Sequence, residues 1–156
     1  MPLTGQERLL GQAPESVTAR FRATVRQWLH VSLSAGIASN KLVARVAARV
    51  RKPGAQITVP PGTERAFLAP LPLRALPGMD NQALATLEVA GLRTLDHLSR
   101  MPLDALATVL GRSALLWQRR AQGVNEEPVA PRKPAAEGWH EILEFPEDAW
   151  EEPLLL

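Results

Sequence analysis

The sequence predicts an α+β fold in which a part holding two strands and two main helices is followed by an all-helical part. Three observations carry this prediction. Val31, Leu33, Ala35 and Ile37 alternate with small or polar residues, the period of a half-buried strand. From Leu42 to Val50 the apolar residues recur instead at helical spacing. Beyond Pro70 the alternation is gone, and short apolar helical runs are separated by proline and glycine.

In order along the chain, Pro14 and Glu15 open a first helix that runs to about Leu29. Its apolar face is Val17, Phe21, Val25 and Trp28, with Arg20, Arg22 and Arg26 off that face. A strand over 31–37 follows. Ser39 and Asn40 then offer side-chain oxygens to the free amides of a helix over 40–52. Leu42, Val43, Val46, Ala47 and Val50 share one face of it, and Lys41, Arg45, Arg49 and Lys52 the opposite face. Pro53 and Gly54 stop it. Gln56 to Val59 reads as a second strand, Pro60-Pro61-Gly62 as a turn, and Thr63 as the cap of a short helix ending at Leu68.

The helical part begins with Leu71, Leu73 and Leu76, leading to Pro77-Gly78. A helix carrying Leu84, Leu87 and Val89 ends at Gly91, and Thr94 starts another with Leu95 and Leu98 that stops at Met101-Pro102. A helix over 103–110, then Gly111, then a helix from Ser113 to about Gln122 complete it. Helix, tight glycine turn and helix, twice in succession, is the organisation of paired helix-hairpin-helix units. Residues 124–137 hold three prolines and read as a linker. Trp139, Leu143 and Phe145 alternate as one more strand before an acidic end.

Composition narrows the function classes. The 156 residues suffice for one ordinary core or two small ones, and 46% of them are hydrophobic. With no cysteine, a disulfide framework and a thiolate metal site are both excluded, which fits a cytoplasmic protein. No apolar run approaches membrane-spanning length. The three histidines, His30, His97 and His140, have no ligand spacing. The net charge of +2 conceals an asymmetry: residues 1–123 hold 16 Lys and Arg against 7 Asp and Glu, and residues 124–156 hold 2 against 9. A basic body suggests a polyanion partner, nucleic acid above all, although an Arg-rich surface also serves solubility alone. The acidic end would then compete with that partner for the body.

Several motifs occur in order at natural spacing. A strand ending in SAGIA, then SNK, a helix of the VARVAA kind and a closing KPG resemble the second half of the palm of Y-family translesion DNA polymerases. AQITVPPGTERAFLAPLPLRALPG resembles the passage from palm to thumb, and GLRTLDHLSRMPLDALATVLGRSALLWQRRAQGVNEEPV the rest of the thumb and its exit. The SNK and KPG portions resemble the DNA polymerase IV type. PRKPAAEGWHEILEFPE resembles the catalytically inactive members from bacterial mutagenesis cassettes. The resemblance covers roughly residues 3–145. It implies a partial palm over 1–69, a helix-hairpin-helix thumb over 70–123, a linker over 124–137 and the first strand of the little finger within 138–156.

The resemblance also implies chemistry that the chain does not carry. The family holds two magnesium ions on aspartates and a glutamate from DxD and SIDEAYLD motifs, and two-metal phosphoryl transfer needs such a cluster. Up to Ile57 the acidic residues are Glu7 and Glu15, and the first aspartate is Asp80. Leu3 and Thr4 match positions just after SIDEAYLD. The expectation is a chain that is not an enzyme, holds no cofactor, and binds duplex backbone without sequence preference in translesion synthesis and the repair of DNA damage.

The expected DNA contacts are Gly78 and Met79 in the first hairpin, Gly111, Arg112 and Ser113 in the second, and Arg45, Arg49 and Lys52 on the palm helix. Asp80 stands where the family's hairpin has its second glycine; it caps the next helix and repels phosphate. Lys41 is the SNK lysine, which by resemblance reaches the triphosphate of an incoming nucleotide; a solvated lysine in a first turn is the alternative. Arg119 and Arg120 complement a helix dipole, and Trp117 reads as core. Partners would be DNA and, in a competing reading, another polymerase subunit or a sliding clamp that the chain completes or recruits.

Overall fold

The computed structural model describes residues 11–129. The strand expected at 139–145, the acidic end beyond Val129 and the motif matches at Leu3 and Thr4 lie outside them. Helix α1 (Pro14–Leu29) leads to strand β1 (Ala35–Ile37), helix α2 (Lys41–Val50), strand β2 (Gln56–Thr58) and helix α3 (Glu64–Leu68). A 3-10 turn at Leu73–Ala75 opens the helical part, followed by α4 (Asn81–Val89), α5 (Leu95–Arg100), α6 (Leu103–Leu110), a 3-10 turn at Gly111–Ser113 and α7 (Ala114–Ala121).

The two strands are parallel, with Ala35 opposite Gln56, Gly36 opposite Ile57 and Ile37 opposite Thr58. A parallel pair requires a crossover, and α2 supplies it. Its apolar residues Leu42, Val43, Val46 and Ala47 are buried. Gly36 makes the close packing of β1 on α2 possible: a Cβ there would lie 2.0 Å from the Ala44 carbonyl oxygen and 2.6 Å from the Ala48 amide nitrogen. One continuous core runs from α2 and Val59 through Leu68, Leu73 and Leu76 to Leu87, Leu95, Leu98, Leu106 and Trp117. Helix α7 packs on both α5 and α6. Its Gln118 and Gln122 donate to the carbonyls of Met101 and Ser99 at 2.6 and 3.2 Å, holding the end of α5.

Several local expectations are corrected. Strand β1 is three residues long, not seven, because β2 offers only three partners; Val31 is exposed, and the Leu33 carbonyl accepts from Arg22 Nε at 2.9 Å instead of from a strand. Helix α1 buries none of its residues, and its apolar positions Phe21 and Trp28 are 60% and 77% exposed. It is held instead by Arg22, which also donates to the Gly54 carbonyl and the Gln56 side chain. Helix α2 ends at Val50, which is exposed, because Lys52 precedes a proline and is pushed away from helical geometry. Lys52 therefore lies in the following turn. Thr63 makes no cap, since its hydroxyl donates to the Pro60 carbonyl at 2.7 Å in the preceding turn. Val89 ends α4 on its solvent side.

Candidate nucleic-acid interface

The three residues of the SNK turn, at the start of α2, each make a different long-range contact. Ser39 donates its hydroxyl to Glu64 Oε1 at the head of α3. Asn40 accepts from the Val43 amide at 3.0 Å, capping α2, and donates its side-chain amide to the Gly123 carbonyl at 2.8 Å. Lys41 Nζ meets Glu127 Oε1 at 2.7 Å. The contacts of Asn40 and Lys41 tie this turn to the segment at the end of the helical part, in addition to the shared core.

The end of α7 is shaped for this junction. Gly123 has φ +82, its amide bonds to the Arg120 carbonyl at 3.0 Å, and the Val124 amide bonds to the Arg119 carbonyl at 2.9 Å. This pair of bonds is a Schellman closure, in which glycine takes the left-handed position. The turn brings Gly123 against α3, where a Cβ would lie 2.6 Å from Glu64 Cβ. Past the turn, Glu126 Oε1 meets Arg119 Nη2 at 2.5 Å. The Ser39 hydroxyl holds the Glu64 carboxyl below the usual glutamate range, and Lys41, by hydrogen bond and charge, does the same for Glu127.

Among the basic residues expected to meet phosphate, Arg45 and Arg49 are exposed on α2 one and two turns beyond Lys41, on the face opposite the core. Lys52 and Arg112 are exposed as well, and among the described residues none of these four makes an ion pair. Lys41 is different, being engaged by Glu127. The structure does not bring Lys52 onto the α2 stripe.

At the first glycine turn, Gly78 is exposed with φ +90, and a Cβ there would lie 3.9 Å from Trp117 and 4.0 Å from Arg120 Nη1. Met79, the next residue of that turn, packs its side chain into the core. Asp80 caps α4, accepting from the Ala83 amide at 2.7 Å. Arg120, which sequence reasoning assigned to a helix dipole, stacks on Trp117 at 4.9 Å from the ring centroid, beside Gly78. No sequence signal pairs it with that turn, because the contact joins distant elements.

At the second glycine turn, Gly111, Arg112 and Ser113 are exposed. Ser113 was expected to present a helix N-terminus, but it is already in helical geometry (φ −84, ψ −6) and makes no cap bond. The 3-10 turn runs straight into α7.

Among the described residues no group of three or more His, Asp or Glu is placed to hold a metal ion. No helix among them is long and apolar enough to cross a membrane.

This architecture, a parallel strand pair crossed by a basic helix and joined to a helical unit, is that of the polymerase palm and thumb. The fold matches DinB from Sulfolobus solfataricus with a TM-score of 0.65 at 23% identity, over 73% of this chain and 34% of that one. A post-insertion binary complex of Dbh DNA polymerase matches with a TM-score of 0.69 at 23% identity, over 83% of this chain and 38% of that one.

Sequence comparison is more specific. Residues 1–49 match the impB/mucB/samB family model. DNA polymerase IV of Xanthomonas campestris pv. campestris strain 8004 is 34% identical over 120 residues, 77% of this chain and 33% of that protein. DNA polymerase IV of Caulobacter vibrioides is 33% identical over 129 residues, 83% of this chain and 32% of that protein. The chain is a homologue of the Y-family DNA polymerases of the DNA polymerase IV type, a family related to translesion synthesis. It spans about a third of the length of these relatives.

These relatives overturn one expectation. They are named as polymerases, which are enzymes, and the chain corresponds to one third of them. Carboxylates missing from that third do not make the protein non-enzymatic, so the reading of a chain that is not an enzyme does not stand.

Proposed function

We propose that this chain supplies the latter part of a Y-family palm, over 1–69, and the thumb, over 70–123, and that it grips duplex DNA by its phosphate backbone without reading sequence. The observation that supports this is the exposed pair Arg45 and Arg49 on α2, free of ion pairs among the described residues. Two exposed glycine turns, at Gly78 with Arg120 beside it and at Gly111-Arg112-Ser113, add approach points of helix-hairpin-helix type. Lys41 serves the same chemistry as a phosphate ligand near the incoming nucleotide. Backbone contacts of this kind give affinity that falls steeply with salt. A cytoplasmic place beside the chromosome is part of the proposal.

The test is fluorescence anisotropy with duplexes of unrelated sequence across a salt series. Equal affinities for the duplexes and a steep salt dependence support the reading. A strong preference for one sequence, or salt-insensitive binding, contradicts it.

A second reading, a protein-interaction role, is favoured by the surface of α1. Phe21, Trp28 and Leu29 are exposed there, and so is Val31 just beyond its end. Such a surface suits a protein partner, either the remainder of a polymerase polypeptide, another subunit or a sliding clamp. Trp28 fluorescence shifting to the blue when a clamp is added would support that role, and an unchanged spectrum would remove the clamp from consideration.

A further inference from the structure

The two glutamates that follow the thumb occupy cations that a phosphate would need. The Schellman turn at Gly123 reverses the chain, and within four residues Glu126 lies on Arg119 at 2.5 Å and Glu127 on Lys41 at 2.7 Å. Both are charge-assisted contacts, the first across 7 positions and the second across 86. The Glu127 carboxylate also lies in the field of Arg120. Lys41 and Arg119 are only partly exposed, at 34% and 47% of their side chains, whereas both carboxylates are more open. In each pair the carboxylate is the more exposed partner, and an anion that binds the cation competes with it.

We propose that Glu126 and Glu127 are an internal counter-anion for Lys41 and Arg119, so that a phosphate uses these cations only by displacing the two carboxylates. The inference rests on the reading of Lys41 as a phosphate ligand. Its chemistry is exchange of one oxyanion for another, with no bond formed or broken. The phosphate can belong to a nucleotide polyphosphate or to a DNA backbone. Lys41 has its ammonium paired before any ligand arrives, while Arg45 and Arg49, further along α2, make no ion pair among the described residues. The device thus separates two classes of cation on one helix: Arg45 and Arg49, available for first contact, and Lys41, held back until a ligand of higher charge density competes for it. Anchoring strengthens the arrangement, because Asn40, next to Lys41, holds the Gly123 carbonyl and keeps the acidic segment within reach.

The experiment uses the full chain and four variants: E127Q, K41Q, the double variant K41Q/E127Q, and E88Q. The last removes a charge of the same sign from the exposed Arg74 pair. Binding of inorganic tripolyphosphate is measured by calorimetry, and binding of a short blunt duplex by anisotropy, at low and at raised salt. Exposed ion pairs are worth about 0.2–1 kcal/mol, so E127Q is expected to tighten binding by a factor of about 1.4 to 5 at low salt. That gain should fade at raised salt, be absent in E88Q and be absent when K41Q is already in place. A gain with tripolyphosphate alone assigns the site to nucleotide polyphosphate, and a gain with the duplex alone assigns it to backbone. A gain of equal size in E88Q, or in the K41Q background, overturns the proposal, since only bulk charge would then be at work. Weaker binding in K41Q with no gain in E127Q overturns the counter-anion alone. Unchanged binding in K41Q for both probes overturns the phosphate reading of Lys41 beneath it.

Discussion

The side-chain amide of Asn40 donates to the carbonyl of Gly123 at 2.8 Å across 83 residues of sequence. The same side chain accepts from the Val43 amide through its oxygen. A single asparagine thereby starts the palm helix and fastens the end of the thumb to it. This double use explains why an amide stands here: aspartate would cap as well but has no proton to donate to a carbonyl.

The first prediction separates the two uses. Asn40→Asp should keep the cap and lose the junction bond, lowering unfolding free energy by about 1 kcal/mol, whereas Asn40→Ala should lose both, about 2 kcal/mol. Urea denaturation of the three proteins measures it. If the aspartate variant matches the parent, the bond to Gly123 contributes nothing.

A second prediction concerns Gly36. Alanine there drives a methyl group into the backbone of α2 at Ala44 and Ala48, and backbone cannot yield as a flexible side chain does. The expected cost is about 3 kcal/mol or more, seen as a large fall in melting temperature. Gly62, where nothing lies within 4 Å but φ is +84, is the comparison. Alanine at Gly62 should cost only about 1 kcal/mol of backbone strain. Similar losses at both sites would mean that β1 does not sit as close to α2 as described.

The third prediction is the acid behaviour of two glutamates. Glu64 is held down first by the Ser39 hydroxyl and Glu127 first by the Lys41 hydrogen bond. A folded value below the unfolded one adds stability above the unfolded value, and that stability is lost as pH falls through the folded value. Both carboxyls are therefore expected to titrate on the acid side of an ordinary glutamate in a carbon-detected NMR titration. Ser39→Ala should move Glu64 upward and Lys41→Gln should move Glu127 upward, each leaving the other in place. Movement of both in either variant would contradict the assignment of causes.

The fourth prediction returns to the first glycine turn. Asp80→Gly removes the cap on α4 and should cost about 1 kcal/mol of stability. It also removes a negative charge two residues from Gly78 and should tighten duplex binding at low salt. Lower stability with unchanged affinity would make this turn purely structural.

How much of this was legible in the sequence depended on whether local spacing or distant contact decided the matter. Helix α2 was readable because its apolar and basic residues obey one period, and the core confirms Leu42, Val43, Val46 and Ala47. The helices at 103–110 and around Leu95 were readable from proline and glycine punctuation. Helix α1 shows the limit: spacing reveals an apolar face at Phe21 and Trp28 but not what covers it, and none of its residues is buried here. Strand length is set by the partner strand, so the run from Val31 overstated β1. Lys41 was chosen from a motif, while its partner Glu127 had no local signal because the Gly123 turn creates that contact. The absence of a carboxylate cluster was visible, yet its meaning was not, since the chain spans only about a third of the length of its relatives.

The central claim, that exposed cations of α2 hold DNA by its phosphates, is tested most directly by charge reversal with a matched comparison. Duplex affinity is measured across a salt series for the parent, for Arg45→Glu with Arg49→Glu, and for Arg20→Glu with Arg26→Glu on α1, where both arginines are also exposed. The account predicts that the α2 pair weakens binding more and lowers the salt slope by about one to two units, with no change in sequence preference. Equal losses and equal slopes for the two pairs would contradict it, leaving only the diffuse positive charge of the body.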